Sequence, residues 1–169
     1  RTPSMSETAT LTRVAGERWA PALAYAAALS LAPALAALAM IRTSDLVLPE
    51  GAAAVTYFAS LLGVLAAALA FWLLGRLFGA PAATWSGGVR LAVYGATPLW
   101  VSSVVLFSPV LVAVCMVALV HVFYLYYVGA QLVLGVRESD AAIFVMLALV
   151  ITSAALTLAG SALGAAALL

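Results

Sequence analysis

The residues best suited to chemistry lie within one apolar run. His121, Tyr124, Tyr127 and Gln131 fall three or four apart in the stretch His121-Val122-Phe123-Tyr124-Leu125-Tyr126-Tyr127-Val128-Gly129-Ala130-Gln131. At about 100° per residue on a helix, the four share a stripe about 120° wide. An imidazole, two phenols and an amide on one face are equipped to relay a proton or to hold a polar ligand, and an ionisable group inside an apolar helix is a functional-site candidate. The competing reading is structural: a neutral imidazole satisfied by a helix-to-helix hydrogen bond. No carboxylate or second histidine lies in the apolar runs to work with His121, which favours the structural reading. Under both readings the stripe is expected to face a bundle interior, where its polar atoms find partners.

Other chemistries have less support. Metal binding needs several convergent His, Cys or carboxylate ligands, whereas His121 and Cys115 are spaced so that they do not share a helix face. Nucleophilic catalysis needs a base beside Ser or Cys; His121 is the one base available, and Ser102 and Ser103 read as ordinary small polar residues. Asp45 and Glu50 fall at one expected membrane face and Glu138 and Asp140 at the other, so paired carboxylates are unsupported. The expectation is therefore no catalytic residues, no metal site, no cofactor and no enzyme activity. The net charge of +1 and the lack of a basic tract argue against nucleic acid as a partner and against a surface made for anionic lipid. All seven basic residues are arginine, which together with the abundant alanine hints at a GC-rich bacterial source. Cys115, the single cysteine, excludes a disulfide within the chain and reads as a small buried hydrophobe.

The elements that must position these residues follow from the same composition. The chain is 67% hydrophobic and 8% charged, against about 45–50% apolar and about 25% charged in soluble domains. Such a chain needs lipid as part of its solvent. A bilayer core of about 30 Å takes about 20 helical residues, so the intervals between charges nearly draw the topology. They predict an all-α, multi-pass bundle of five transmembrane helices at about 19–41, 52–75, 91–107, 110–134 and 141–167, preceded by a cytoplasmic arm at 1–18. The third and fourth spans divide at Ser108-Pro109, because proline lacks an N–H and disfavours helix at the residue before it.

The third span is the weak point. Gly79, Pro81, Gly87 and Gly88 argue against a continuous helix ahead of residue 91, leaving Ala82-Ala83-Thr84-Trp85 as a short interfacial helix and Arg90 snorkelling where the span begins. Pro98 is a candidate kink, either a hinge or polar notch or an ordinary membrane-helix proline, and Pro33 has the same status. In the fifth span Ser153, Thr157, Gly160, Ser161 and Gly164 form a small-residue face for helix packing or a dimer seam.

Arginine placement sets the sides. With the N-terminus inside, six of the seven arginines fall on the inner face and Arg42 alone outside, which puts the C-terminus outside and the chain in the inner (plasma) membrane of a bacterium. The N-terminal stretch does not read as a cleavable signal peptide, since its first apolar run is too long. Arg1–Ser4 ahead of Met5 read as a non-native leader.

Tyr94-Gly95-Ala96-Thr97-Pro98, then Pro109, then Tyr124 through Gly129 resemble the Ypt-interacting protein (Yip) family, in its bacterial branch. The resemblance extends over most of the chain and rests on the order of degenerate motifs. It implies a five-span fold and a cytoplasmic N-terminus, with no catalytic residues. Eukaryotic relatives are associated with Rab-type GTPases, vesicle trafficking and the shaping of endomembranes, and have an Asp-Leu-Tyr-Gly-Pro-like segment before the first span. This chain has Gly16-Glu17-Arg18-Trp19-Ala20-Pro21 there, so the Rab partnership does not carry over. The leading expectation is a non-enzymatic membrane protein that organises membrane or serves as a partner or scaffold, with membrane lipids, a membrane-protein partner or a second copy as its contacts. The alternative is a small transporter, channel or lipid-moving protein using the polar stripe of the fourth helix.

Overall fold

Two prolines and a cluster of glycines decide where the helices of this chain break and where they meet. The computed structural model describes residues 19–43, 51–103 and 112–166.

 

Side-chain surroundings are described for residues 19–39, 51–103 and 113–158. The expected arm at 1–18, the Ser108-Pro109 hairpin, Asp45 and Glu50 lie outside the described residues.

Every regular element among the described residues is helical. In chain order they are α1 (Trp19–Leu29), α2 (Leu31–Thr43), α3 (Ala52–Leu77), α4 (Trp85–Ser103), α5 (Val112–Gly129) with a π-helical turn continuing it (Ala130–Leu134), and α6 (Glu138–Ala166). Four stretches are long and apolar enough to cross a membrane: Trp19–Ala39, Ala52–Leu77, Ala113–Leu134 and Glu138–Leu158. The break between α1 and α2 falls at Ser30, three residues before Pro33. A proline ring clashes with the carbonyl four residues earlier, here that of Leu29, so the helix yields at that point. The fully buried Ser30 Oγ has no hydrogen-bond partner among the described residues.

The segment before the expected third span corrects the sequence reading. No separate interfacial helix forms at residues 82–85; α4 instead starts at Trp85 and runs through Gly87 and Gly88 to Ser103. Thr84 supplies the start, its Oγ1 accepting from the Gly87 N–H at 3.1 Å and its carbonyl from the Gly88 N–H at 3.0 Å. The glycines weaken the helix locally, yet they allow its neighbours to approach. A Cβ on Gly88 would stand 2.7 Å from the Ala68 carbonyl oxygen of α3, and one on Gly87 would stand 3.0 Å from Leu134. The chain turns before this helix, at Gly79 with φ +66° and at Pro81.

At about 1.5 Å per residue, α4 is about 28 Å long. It also has the highest share of polar and glycine positions among these helices, and it packs against α1, α2, α3 and α5. Val89, Ala92 and Val93 on it are fully buried. Around it the core is apolar and aromatic: Phe71 lies 4.8 Å from the Tyr126 ring centroid and 6.0 Å from that of Phe144, which meets Phe78 edge-on. The fold's outer helix, α6, packs mainly on α3.

The turns at 78–84 and 135–137 meet at one end of the bundle. The Ala82 N–H donates to the Leu134 carbonyl at 3.1 Å, and Gly135, with φ +74°, packs against Pro81. That end carries Arg76, Arg90 and Arg137, with the Arg76 guanidinium 5.7 Å from the Trp72 ring centroid.

Candidate functional site

On α5, the buried row is Ala118, Val122, Tyr126 and Ala130, continued by Leu134 in the π-helical turn. Residues four apart stack on one face of a helix, and this row points at α3, α4 and α6. The expected polar stripe lies roughly 150° around the helix from it, at about 100° per residue. The expectation of an inward stripe is therefore corrected. His121 and Tyr124 are exposed, with their rings stacked on each other at 6.4 Å. Tyr127 is half-buried against the rim of the core, and the half-buried Gln131 donates through Nε2 to the Tyr127 carbonyl at 3.3 Å. The four side chains do not converge on an interior site. The interior demands close packing more than it demands polar atoms, and the small and apolar row meets that demand.

The tyrosine that does enter the bundle is Tyr126. Its ring lies over Gly95 of α4, where any Cβ would collide with the ring, and its hydroxyl donates to the Ala92 carbonyl at 3.2 Å. Its signal in the sequence was the row of four-residue steps and the facing Gly95. Pro98 sits inside α4 without ending it. The Thr97 hydroxyl donates to the Val93 carbonyl at 3.3 Å and lies 3.4 Å from the Tyr25 hydroxyl, so it does not serve the Tyr94 carbonyl that Pro98 leaves without its usual donor.

Besides an open recess of about 640 Å³ with Ala32, Pro98, Ser102, Ala118 and His121 in its walls, two more enclosed recesses border these helices. A cleft of about 490 Å³ lies between the outer halves of α5 and α6, with Val64 and Ala67 of α3 and Ala96 and Trp100 of α4 among its walls. Its lining is overwhelmingly apolar. A second recess, a groove of about 310 Å³ between α4 and α5, has Arg90 at one end and Leu91, Tyr94, Leu125, Gly129 and Val133 along it. Ser153 and Thr157 of the expected small-residue face are exposed on α6, and the Thr157 hydroxyl donates to the Ser153 carbonyl at 2.9 Å. Gly160 and Gly164 lie beyond the residues whose surroundings are described. Cys115 points its Sγ at the Ser102 carbonyl, 3.7 Å away. Among the described residues, no three His, Cys, Asp or Glu side chains come together.

The Yip1 domain family model matches residues 5–159. The match covers most of the chain, and the chain belongs to that family. No curated protein and no solved structure matches it. With its apolar helices, the family assignment makes this a multi-pass membrane protein.

Proposed function

We propose that this Yip1-domain protein is a five-span, non-enzymatic bundle that organises membrane or supports a protein assembly through its lateral faces. The observation that carries this reading is where the polar side chains spend their hydrogen bonds. Thr56, Ser60, Thr97, Ser102, Ser103 and Thr152 each donate to a carbonyl three or four residues back on their own helix. Such bonds satisfy a hydroxyl without building a polar path between helices. What remains for recognition lies outward, in the stacked His121 and Tyr124 and the exposed Ser153 and Thr157.

In this reading α4 is the third span. Its polar and glycine residues are tolerated because the neighbouring helices shield them from lipid. The arginine asymmetry supports putting the end with Arg76, Arg90 and Arg137 in the cytoplasm, the N-terminus with it and the C-terminus outside. The host membrane is the bacterial inner membrane, consistent with the composition.

A photo-crosslinking residue at position 124, introduced in the full chain and activated in native membranes, tests the role. The expected result is a discrete adduct with a membrane protein or a second copy, absent when the probe sits at buried position 126. Absence of any adduct at 124, or solute or proton flux into liposomes that His121→Ala abolishes, overturns the proposal.

A further inference from the structure

We propose that the groove between α4 and α5 holds an anionic phospholipid, with its phosphate on the Arg90 guanidinium and one acyl chain along the groove. The inference needs the chain to sit in a bilayer and is independent of the scaffold role. Arg90 lies five residues into α4, about 7.5 Å along the helix from Trp85. Its Nε donates back to the Ser86 carbonyl at 3.2 Å, so the side chain runs toward the membrane surface as a snorkelling arginine does. That leaves the two terminal nitrogens of the guanidinium for a ligand. No carboxylate pairs with Arg90 among the described residues, although Glu138 and Asp140 lie at the same end of the bundle.

Below Arg90 the groove carries one phenol among apolar walls, a lining that suits a glycerophospholipid beneath its phosphate. Tyr94, one turn deeper and half-exposed, has a phenol with no hydrogen-bond partner among the described residues, placed for a lipid ester carbonyl. Leu125 of α5 walls the groove beyond it, while Leu91 lies between Arg90 and Tyr94 and Val133 lines the surface end beside Gly87. From Leu125 to Val133 the groove runs about 12 Å at helical rise. Gly129 lets the Leu91 side chain pack against the α5 backbone, where any Cβ would collide with it. A cation at the surface end of an apolar groove is complementary to a lipid phosphate with its chain, and poorly matched to a peptide helix, which would bury the guanidinium against apolar side chains.

The test is native mass spectrometry of the full chain in neutral detergent, offered equal amounts of phosphatidylglycerol and phosphatidylcholine with identical acyl chains. The wild type is expected to retain phosphatidylglycerol in a one-to-one adduct, about five- to tenfold over phosphatidylcholine, as one arginine near a lipid headgroup provides. Arg90→Gln is expected to erase that preference, whereas Arg76→Gln, at the same end but outside the groove, keeps it. Leu125→Trp, which fills the groove and leaves Arg90 in place, is expected to lower the adduct for both lipids. Equal retention of the two lipids by the wild type, an unchanged preference in Arg90→Gln, or an equal loss in Arg76→Gln would overturn the proposal. The wild-type competition decides even if a variant fails to fold.

Discussion

Replacing Gly95 with alanine probes the contact on which the α4–α5 interface turns. A Cβ at this position collides with the Tyr126 ring, and that ring has little room to retreat. Phe71 lies 4.8 Å behind it, its hydroxyl is held by the Ala92 carbonyl, and only 4% of the residue is exposed. Overpacking of this kind costs about 1–3 kcal/mol, and displacing the ring adds about 0.6 kcal/mol for the interhelical hydrogen bond. Alanine recovers up to about 1 kcal/mol as the better helix former. The net expectation is a destabilisation of about 1–3 kcal/mol, the difference of those terms. Reversible unfolding in mixed micelles with increasing SDS, followed by tryptophan fluorescence, measures it, and Trp100 in α4 provides a nearby reporter. The decisive step is the double-mutant cycle. In a Tyr126→Leu background the ring is gone, so Gly95→Ala should become neutral or stabilising, with a coupling energy of at least about 1 kcal/mol. If Gly95→Ala costs the same in both backgrounds, the account of this interface is wrong.

Tyr126→Phe keeps the ring and loses the hydroxyl; since Ala92 retains its place in the helical ladder, the cost should be about 0.6 kcal/mol and below about 1.7 kcal/mol in the same unfolding assay. Ser30→Ala removes a buried hydroxyl that has no partner among the described residues, so stability should be unchanged or rise by up to about 1 kcal/mol. Gly88→Ala sets a Cβ 2.7 Å from a backbone oxygen that cannot rotate away, and should cost about 1–3 kcal/mol, visible as a lower melting temperature in detergent. His121→Ala should alter stability by less than about 0.5 kcal/mol, because the imidazole is exposed and stacks on Tyr124, which is exposed too.

Helix existence was legible in the sequence because charge is so costly in lipid that the uncharged intervals mark the apolar helices. Residues 52–75 illustrate this: they fall inside α3, which runs from Ala52 to Leu77. The start of α4 was not legible. Gly87 and Gly88 carry the same letters whether they break a helix or let two backbones touch, and only the position of the Ala68 carbonyl distinguishes the cases. The facing of α5 failed for a related reason. A polar stripe was assigned to the interior on the premise that lipid excludes polar atoms, but the row Ala118–Val122–Tyr126–Ala130 fits the narrow space beside Gly95 better, and close packing decided which face turns inward. The Arg90 groove was hidden because its two walls are at least thirty residues apart in the chain.

These corrections share a cause, which also bears on the third span. Hydropathy measures how well a helix tolerates lipid, and so it ranks helices by their exposure. A helix surrounded by others is released from that requirement and is instead selected for how closely its neighbours can approach. In α4 the consequence is visible residue by residue: Gly88 meets α3, Gly95 receives Tyr126 of α5, and Tyr94 meets the Tyr25 ring of α1 at 5.6 Å. Its lower hydropathy therefore follows from its central place and is no argument against its crossing the bilayer. The same logic explains why Arg90 is tolerated on it. At the edge of the bundle that helix has one exposed flank, and there the guanidinium turns back to the Ser86 carbonyl rather than into the core.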